Sequence, residues 1–157
     1  MRIALYQPDI PQNTGTLLRL CACLGVAADI IEPCGFAFTD RLFLRAGLDY
    51  LPHARFVRHD SWEQYMRARR SGRLVLLSTH AEASYTAFAF RSEDTLLLGR
   101  ETAGVPDGVH AAVDARIKVP MTRGLRSLNV AVAAAMVLGE ALRQVGGFSR
   151  IAGSFRC

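Results

Sequence analysis

The sequence has almost no lysine: 18 of its 19 basic residues are arginine, and Lys118 is the single exception. The formal net charge is +5, which favours a polyanionic partner. Guanidinium groups bind phosphates in a forked geometry and stack on bases better than ammonium groups do. A coding bias toward arginine explains the scarcity of lysine about equally well. The charge therefore favours nucleic acid as a partner without establishing it.

Long apolar runs are also missing, and no stretch approaches the length of a membrane span. Strand-like residues begin at Arg2, so we expect no signal peptide and a cytoplasmic protein. Half of the 157 residues are apolar, 21% are charged, and no Ser/Gly/Pro-rich linker divides the chain. This composition predicts one globular domain over residues 1–157, with about 148–157 as a loosely held tail.

The residue patterns of several common sites are absent as well. The four cysteines form no Cys-x-x-Cys pair and have no matching histidine spacing, so we expect no metal site and thiols in a reducing compartment. Neither G-x-G-x-x-G nor a Walker pattern occurs, which argues against the usual dinucleotide loop and a P-loop NTPase. The four histidines are scattered without a serine or cysteine partner, and hydrolase chemistry is not indicated.

Apolar runs alternate with segments of helical periodicity along the whole chain. Alternation of this kind predicts an α/β protein with a mostly parallel sheet flanked by helices. The predicted strands are Arg2–Tyr6, Ala28–Glu32, Ala54–Arg58, Arg73–Ser78, Thr95–Gly99 and Arg116–Val119. The predicted helices start at Asn13 or Thr14 and stop at Gly25, run from Thr39 or Asp40 to Gly47, and cover Trp62–Arg70, Asp107–Val113 and Ser127–Gln144, while Thr79–Arg91 fits neither period.

Three polar loops follow the ends of apolar strands, at Pro8–Arg19, at Gly99–Pro106 and from Met121 to Asn129. The carboxyl ends of parallel strands share one edge of a sheet, where α/β proteins bind their ligands. We therefore expect the three loops to form one site.

Each loop offers candidate side chains that also have a plain structural explanation. Arg19 lies on an otherwise apolar helix and needs a partner there, although a surface ion pair is as good an interpretation. Glu101 follows a strand end, where it can hold Arg19 or a ligand hydroxyl, or simply face a helix dipole. Ser127 and Asn129 offer polar groups at a helix start, where N-capping is the simpler role.

Taken together, these segments resemble the three ordered motifs of the SPOUT methyltransferases. They are Asn13-x-Gly15-x-x-x-Arg19, Leu98-Gly99-x-Glu101-x-x-Gly104-Val105-Pro106, and Ile117-x-Val119-Pro120-Met121 leading to Ser127-Leu128-Asn129-Val130-Ala131. Further segments resemble the minimal single-domain branch of that family, which methylates the ribose 2′-oxygen of the tRNA wobble nucleotide, a cytidine or a modified uridine. They are Leu5–Gly15, Ile31-Glu32-Pro33-x-Gly35-Phe36 and Arg45–Tyr50.

The resemblance implies a C-terminal trefoil knot and S-adenosylmethionine as the cofactor, without a metal. It also implies an obligate homodimer whose first and last helices pack across subunits, so that Arg19 reaches the partner's cofactor. By similarity, the cofactor pocket is lined by Leu77, Gly99, Gly104, Val119, Met121 and Ser127. Where relatives carry a tyrosine in the long helix, this chain has Gly139.

The implied catalytic residues are Arg19, Glu101, Asn13, Ser127 and Asn129. A guanidinium is a poor base, so we expect Arg19 to bind phosphate and orient the 2′-hydroxyl, with Glu101 positioning Arg19. Candidates for binding tRNA are Arg41, Arg45, Arg123, Arg126 and Arg150, although solvated surface charge is the better interpretation of any one of them.

Other functions remain compatible with the motifs. A knotted RNA-binding protein without catalysis is one, and a 2′-O-methylase of another RNA site is a second. An α/β enzyme that acts on a small-molecule nucleotide is a third.

Overall fold

The first strand of the chain lies inside a seven-stranded sheet. The computed structural model describes residues 1–39 and 41–153, with their side chains except at positions 42, 47–49, 150, 152 and 153. The strands are β1 (Arg2–Tyr6), β2 (Ala27–Ile31), β3 (Phe56–His59), β4 (Leu74–Leu77), β5 (Ala83–Ser84), β6 (Thr95–Leu98) and β7 (Ala115–Lys118). Their order in the sheet is β3-β2-β1-β6-β4-β7-β5, and every neighbouring pair is parallel. The predicted fold class is confirmed.

Helices cover both faces of the sheet. They are α1 (Pro11–Cys23), α2 (Arg41–Gly47), α3 (Trp62–Ala68), α4 (Asp107–Ala112), α5 (Val130–Gln144) and α6 (Gly147–Gly153), with 3₁₀ turns at Leu48–His53 and Tyr85–Ala87. Successive strand residues point to opposite faces, so one strand serves two cores. Leu96 and Leu98 face a core shared with α1 and α5, whereas Leu97 faces a second core closed by Tyr65 and Val109.

The sheet register brings four strand ends together. Leu5 of β1 pairs with Leu98 of β6, Leu98 with Leu77 of β4, and Leu77 with Ile117 of β7. Because these four neighbours are parallel and end at one level, the loops that follow them emerge side by side. The three loops predicted to form one site are therefore brought to one edge, together with the loop after β4.

The starts of the two helices beside this edge differ from the prediction. Helix α1 begins at Pro11 after Ile10, without a side-chain cap, because proline has no N–H to satisfy and its fixed φ suits the first helical position. The prediction of a cap at Asn13 or Thr14 is wrong, since both residues lie buried inside the helix. The long helix begins at Val130 rather than Ser127, because Asn129 caps it by accepting hydrogen bonds from the N–H groups of Ala131 and Val132.

Other boundaries moved by one to a few residues. Strand β3 starts two residues later than predicted, and the ambiguous Thr79–Arg91 stretch contains β5, a two-residue edge strand paired with β7. Asp40, a predicted helix start, lies outside the described residues, as do residues 154–157 of the predicted tail, whereas Gly147–Gly153 are helical. Within the described residues, no helix combines the length and apolar character needed to cross a bilayer. The trefoil knot stays a prediction.

Candidate active site

A cleft of about 730 Å³ opens at the shared strand edge. Its walls come from all four loops, those that follow β1, β4, β6 and β7, and from the first turn of α5. Residues from the three predicted motifs line it together, among them Asn13, Gly99, Glu101, Val119 and Asn129. The prediction that the loops meet in one place is therefore confirmed for the geometry of the cleft.

All six residues predicted to contact the cofactor line this cleft. They are Leu77, Gly99, Gly104, Val119, Met121 and Ser127. The cleft also contains side chains that the sequence did not single out, notably Arg100, Asp107 and the two histidines His80 and His110.

The loop after β6 is a tight closed turn. The N–H of Arg100 donates to the carbonyl of Gly104 at 2.9 Å, and the N–H of Gly104 donates back to the carbonyl of Arg100 at 2.8 Å. Gly104 has φ +65, a left-handed conformation that favours glycine. A Cβ on Gly99 would lie 2.8 Å from the carbonyl carbon of Gly104. Position 99 therefore has no room for a side chain, and the cleft wall there is bare backbone.

A chain of hydrogen bonds joins the three motifs. Asn13 donates from Nδ2 to Oε1 of Glu101 at 3.1 Å, and its Oδ1 accepts from Nδ2 of Asn129 at 2.9 Å. The Oδ1 of Asn129 accepts from the N–H of Ala131 at 2.9 Å, so the chain ends on the start of α5. A carboxylate and a helix N–H at the two ends fix the orientation of both amides.

Asp9 forms a reciprocal pair with Glu101. The N–H of Asp9 donates to Oε2 of Glu101 at 3.1 Å, and the N–H of Glu101 donates to Oδ1 of Asp9 at 3.2 Å. The hydroxyl of Thr102 donates to Oδ2 of Asp9, and Nε of Arg100 lies 3.5 Å from the same oxygen. These bonds join the loop after β1 to the loop after β6.

The two carboxyl groups differ in the direction of their pKa shifts. Burial, followed by the contact with Asp9, raises the pKa of Glu101 above its ordinary value. Burial alone would raise the pKa of Asp9 as well, but hydrogen bonds from Glu101 and Thr102 and the charge of Arg100 outweigh it and lower that pKa. The proton of this pair is therefore held preferentially by Glu101.

Within a single copy of the chain, Arg19 does not pair with Glu101 among the described residues, so the predicted pairing fails there. Its side chain is exposed, and its guanidinium carbon lies 4.4 Å from the ring centre of Tyr50. The oxygens of Glu101 instead accept hydrogen bonds from Asp9 and Asn13. The predicted need for a buried partner also fails, because Arg19 lies on the solvent side of α1 and does not line the cleft.

The predicted RNA-binding arginines lie on α2, on the loop before α5 and on α6. Arg41 and Arg45 are exposed on α2, and Arg123 and Arg126 are exposed on the loop before α5. Of these four, only Arg126 lines the cleft. The side chain of Arg150 lies outside the described residues. Ser127 is exposed at the cleft wall, two residues before the helix cap.

Two residues of this region, Asp9 and Tyr50, were missed as site residues by reasoning from the sequence. Both lie in segments that carried the family resemblance, but an aspartate after a proline and a tyrosine in a short turn have no distinctive spacing of their own. Among the described residues, no cluster of three or more His, Cys, Asp or Glu side chains could hold a metal ion.

Comparison with known proteins identifies the family. The model of the SpoU rRNA Methylase family matches residues 1–139. The chain belongs to this family. A relative from Beijerinckia indica subsp. indica, named tRNA (cytidine(34)-2'-O)-methyltransferase, is 60% identical over 95% of this chain and 94% of its own length.

Two solved structures agree with the fold. One, described in terms of the 2-OH methylation of C/U34 on tRNA, has a TM-score of 0.88 and 41% identity, covering 93% of this chain and 96% of that one. The SpoU methyltransferase AviRb from Streptomyces viridochromogenes, in complex with the cofactor AdoMet, has a TM-score of 0.79 and 28% identity, covering 92% of this chain and 57% of that one.

Proposed function

We propose that this chain transfers a methyl group from S-adenosylmethionine to the ribose 2′-oxygen of the wobble nucleotide of tRNA, a cytidine or a modified uridine at position 34. The observation that carries the proposal is the convergence of all three motifs on one cleft. A relative 60% identical over nearly the full chain is named for this reaction, and a solved neighbour is described in terms of it.

The cleft suits S-adenosylmethionine in its size and in its backbone lining. At about 730 Å³ it is within the range of small-molecule sites. Gly99 presents bare backbone, with Leu77 and Val119 supplying apolar walls, and Gly104, Met121 and Ser127 complete the lining. When bound, S-adenosylmethionine supplies a methyl group on a positively charged sulfur.

The chain's own residues bind and orient rather than stabilise a large new charge. Methyl transfer from a sulfonium to an oxygen neutralises charge, so alignment and exclusion of water should dominate. We assign Arg19 to binding phosphate and orienting the 2′-hydroxyl, since a guanidinium cannot serve as a base. The ring of Tyr50, rather than Glu101, holds Arg19. Asn13, Glu101, Ser127 and Asn129 shape the pocket that receives the hydroxyl.

A homodimer is part of this proposal because α5 and the loop before it expose an apolar stripe. Its members are Leu125 (68% exposed), Leu128 (40%), Val132 (52%) and Met136 (41%). Val132 and Met136 are four residues apart and share one face of the helix. Exposed large apolar side chains grouped on one segment of the chain are typical of an interface, and a second copy of the chain would cover them symmetrically.

The dimer would bring Arg19 of one copy toward the cleft of the other, which accounts for its position outside its own cleft. The surface of the dimer would also provide the tRNA-binding arginines Arg41, Arg45, Arg123, Arg126 and Arg150. Binding through these arginines should weaken steeply with salt. A tRNA substrate makes the cytoplasm the expected location.

The test combines calorimetry with S-adenosylmethionine and methyl transfer to tRNA, followed by mapping of 2′-O-methyl ribose. Modification at position 34 supports the proposal. Transfer to another RNA position would make this a methylase of a different site, and cofactor binding without transfer would indicate a catalytically silent RNA-binding protein. Binding that is insensitive to salt and indifferent to RNA would favour an enzyme of small nucleotides.

The proposed dimer can be tested by substituting two valines of nearly equal exposure, one in the apolar stripe and one outside it. Val132→Glu places a charge in the apolar stripe, whereas Val57→Glu places it on β3, where Val57 is 51% exposed. We expect light scattering at micromolar concentration to show that Val132→Glu is a monomer and that Val57→Glu remains a dimer. Methyl transfer should be lost in Val132→Glu alone. A dimer that persists in Val132→Glu would contradict this interface.

A further inference from the structure

The contacts around Asp9 carry a further inference, which rests on the proposed function. We propose that Asp9 is a positioning residue of the methyl-transfer site: it holds Glu101 in the one orientation that lets Glu101 accept a hydrogen bond from Asn13. Asp9 does not line the cleft itself. It therefore acts through Glu101 rather than by touching substrate.

The geometry leaves Glu101 little freedom. One of its oxygens accepts from the N–H of Asp9 at 3.1 Å and the other from Nδ2 of Asn13 at 3.1 Å. Its own N–H donates to Asp9, so backbone and side chain are both held by the same residue, at 3.2 Å for the N–H bond. Rotation of the Glu101 side chain would break the bond to Asn13 and thereby the chain that continues to Asn129 and the start of α5.

Asp9 is itself held from three sides. Thr102 and Arg100, both on the loop after β6, contact Oδ2 of Asp9. Gly35, on the loop after β2, lies against it so closely that a Cβ there would be 2.8 Å from Cβ of Asp9, and the N–H of Gly35 donates to the carbonyl of Pro8 at 2.9 Å. Because two neighbouring loops hold Asp9 in place, the hydrogen bonds of Asp9 can hold Glu101 in place.

The side-chain contact with Asp9 has a second effect, on the protonation of Glu101. Burial and then contact with Asp9 raise the pKa of Glu101. Among the described residues, Arg100 and Cys34 also lie beside the pair, and burial raises the pKa of Cys34 to about 12, so that thiol stays neutral in the working range. Glu101 accepts from Asp9 and Asn13 best when ionised. Activity should therefore fall as the pH drops through the raised pKa of Glu101.

Two substitutions separate the geometric effect from the charge effect. Asp9→Asn keeps one oxygen, which can still accept from the N–H of Glu101, but replaces the oxygen that accepts from Thr102 by an NH₂ group and removes the negative charge. We expect the acidic limb of its kcat profile to move to lower pH, with kcat on the plateau changed only a few-fold. Asp9→Ala removes the accepting oxygens, and we expect kcat to fall about 10- to 100-fold, as misplacement of positioned groups does. Affinity for S-adenosylmethionine should stay within about threefold in both, because Asp9 lies outside the cleft lining.

Glu82→Gln is the matched control, since it removes one negative charge from an exposed residue outside the cleft. Its pH profile and kcat should equal those of the unaltered protein. Thermal unfolding of each variant reports folding, and if Asp9→Ala fails to fold, the pH profile of Asp9→Asn decides alone. An unshifted acidic limb in Asp9→Asn would overturn the inference, as would an undiminished kcat in a folded Asp9→Ala. Absence of transfer by the unaltered protein would instead overturn the proposed function.

Discussion

Substitution of Asn129 probes the hydrogen-bond chain at the point where one side chain makes two separable contributions. Its Oδ1 caps α5 by accepting from the N–H groups of Ala131 and Val132, and its Nδ2 donates to Asn13. Asn129→Ala removes both contributions. Asn129→Ser keeps an oxygen for the cap but is too short and has no amide to reach Asn13. The two variants therefore separate the cap from the link.

The expected losses follow from the two contacts. Loss of an N-cap costs about 1 kcal/mol of the free energy of unfolding, whereas serine caps about as well as asparagine. Loss of the bond to Asn13 costs about 1 kcal/mol more, and Asn13 is only 9% exposed, so water replaces that bond poorly. We therefore expect Asn129→Ser to lose about 1 kcal/mol and Asn129→Ala to lose about 2 kcal/mol.

Asn129→Asp tests which groups donate and which accept along the hydrogen-bond chain. Aspartate caps α5 and suits its dipole, but it cannot donate to Oδ1 of Asn13. Asn13 cannot reverse its amide to help, because Glu101 would then face an oxygen instead of an N–H. We expect this variant to be nearly as stable as Asn129→Ser and to lose methyl transfer.

Urea unfolding followed by circular dichroism measures these losses, at one protein concentration because a dimer's midpoint depends on it. Ser61→Ala is the control, since Ser61 caps α3 by accepting from the N–H of Gln64, away from the cleft. It should lose about 1 kcal/mol of stability and no activity. Full stability and full transfer in Asn129→Ser would refute the reasoning, because the bond to Asn13 would then contribute nothing.

Substitutions at three further positions, Gly99, Arg19 and Tyr50, test the cofactor wall and the substrate-orienting arginine. Gly99→Ala should weaken the binding of S-adenosylmethionine, measured by calorimetry, because its Cβ meets the closed turn at Gly104 and overpacking costs about 1–3 kcal/mol. Gly108→Ala is the control: no atom lies within 4 Å of the new Cβ, so the affinity should stay unchanged. Arg19→Lys should abolish most transfer while cofactor affinity stays nearly intact, because the fork is lost and the charge kept. Tyr50→Leu should lower kcat about 2- to 30-fold through loss of the cation–π contact, and Tyr50→Phe should restore it. Normal turnover in Arg19→Lys, or equal rates in the two Tyr50 variants, would remove these roles.

Strand patterns and loop positions were readable from the sequence because they depend on local periodicity. Strands β4 and β6 each contain at least three consecutive apolar residues, and both strands were predicted to within two residues. The convergence of three loops followed from the rule that parallel strands end at one edge. The two-residue β5 was missed because its pairing with β7 is a tertiary contact that no local pattern encodes.

Side-chain partners in the site were predicted less well than positions. The sequence assigned both Arg19 and Glu101 to the site but not to their actual partners. Arg19 contacts Tyr50, whereas Glu101 accepts hydrogen bonds from Asp9 and Asn13. A partner depends on which rotamers the packed loops permit, and Asp9 contacts Glu101 across 92 positions of sequence. Such a pair leaves no spacing signal in a single chain.

The place of β1 between β2 and β6 bears on how the chain is made. Strand β1 is synthesised first, and β2 can pair with one of its edges soon afterwards. The other edge, at Arg2, stays unpaired until Thr95 of β6 has been synthesised. At ribosomal rates of about 5–20 residues per second, that edge of an apolar strand stays open for roughly 5 to 20 s. A nascent chain in this interval presents an unpaired strand template of the sort that promotes aggregation. Chaperone access during translation should therefore matter more for this small domain than its length suggests.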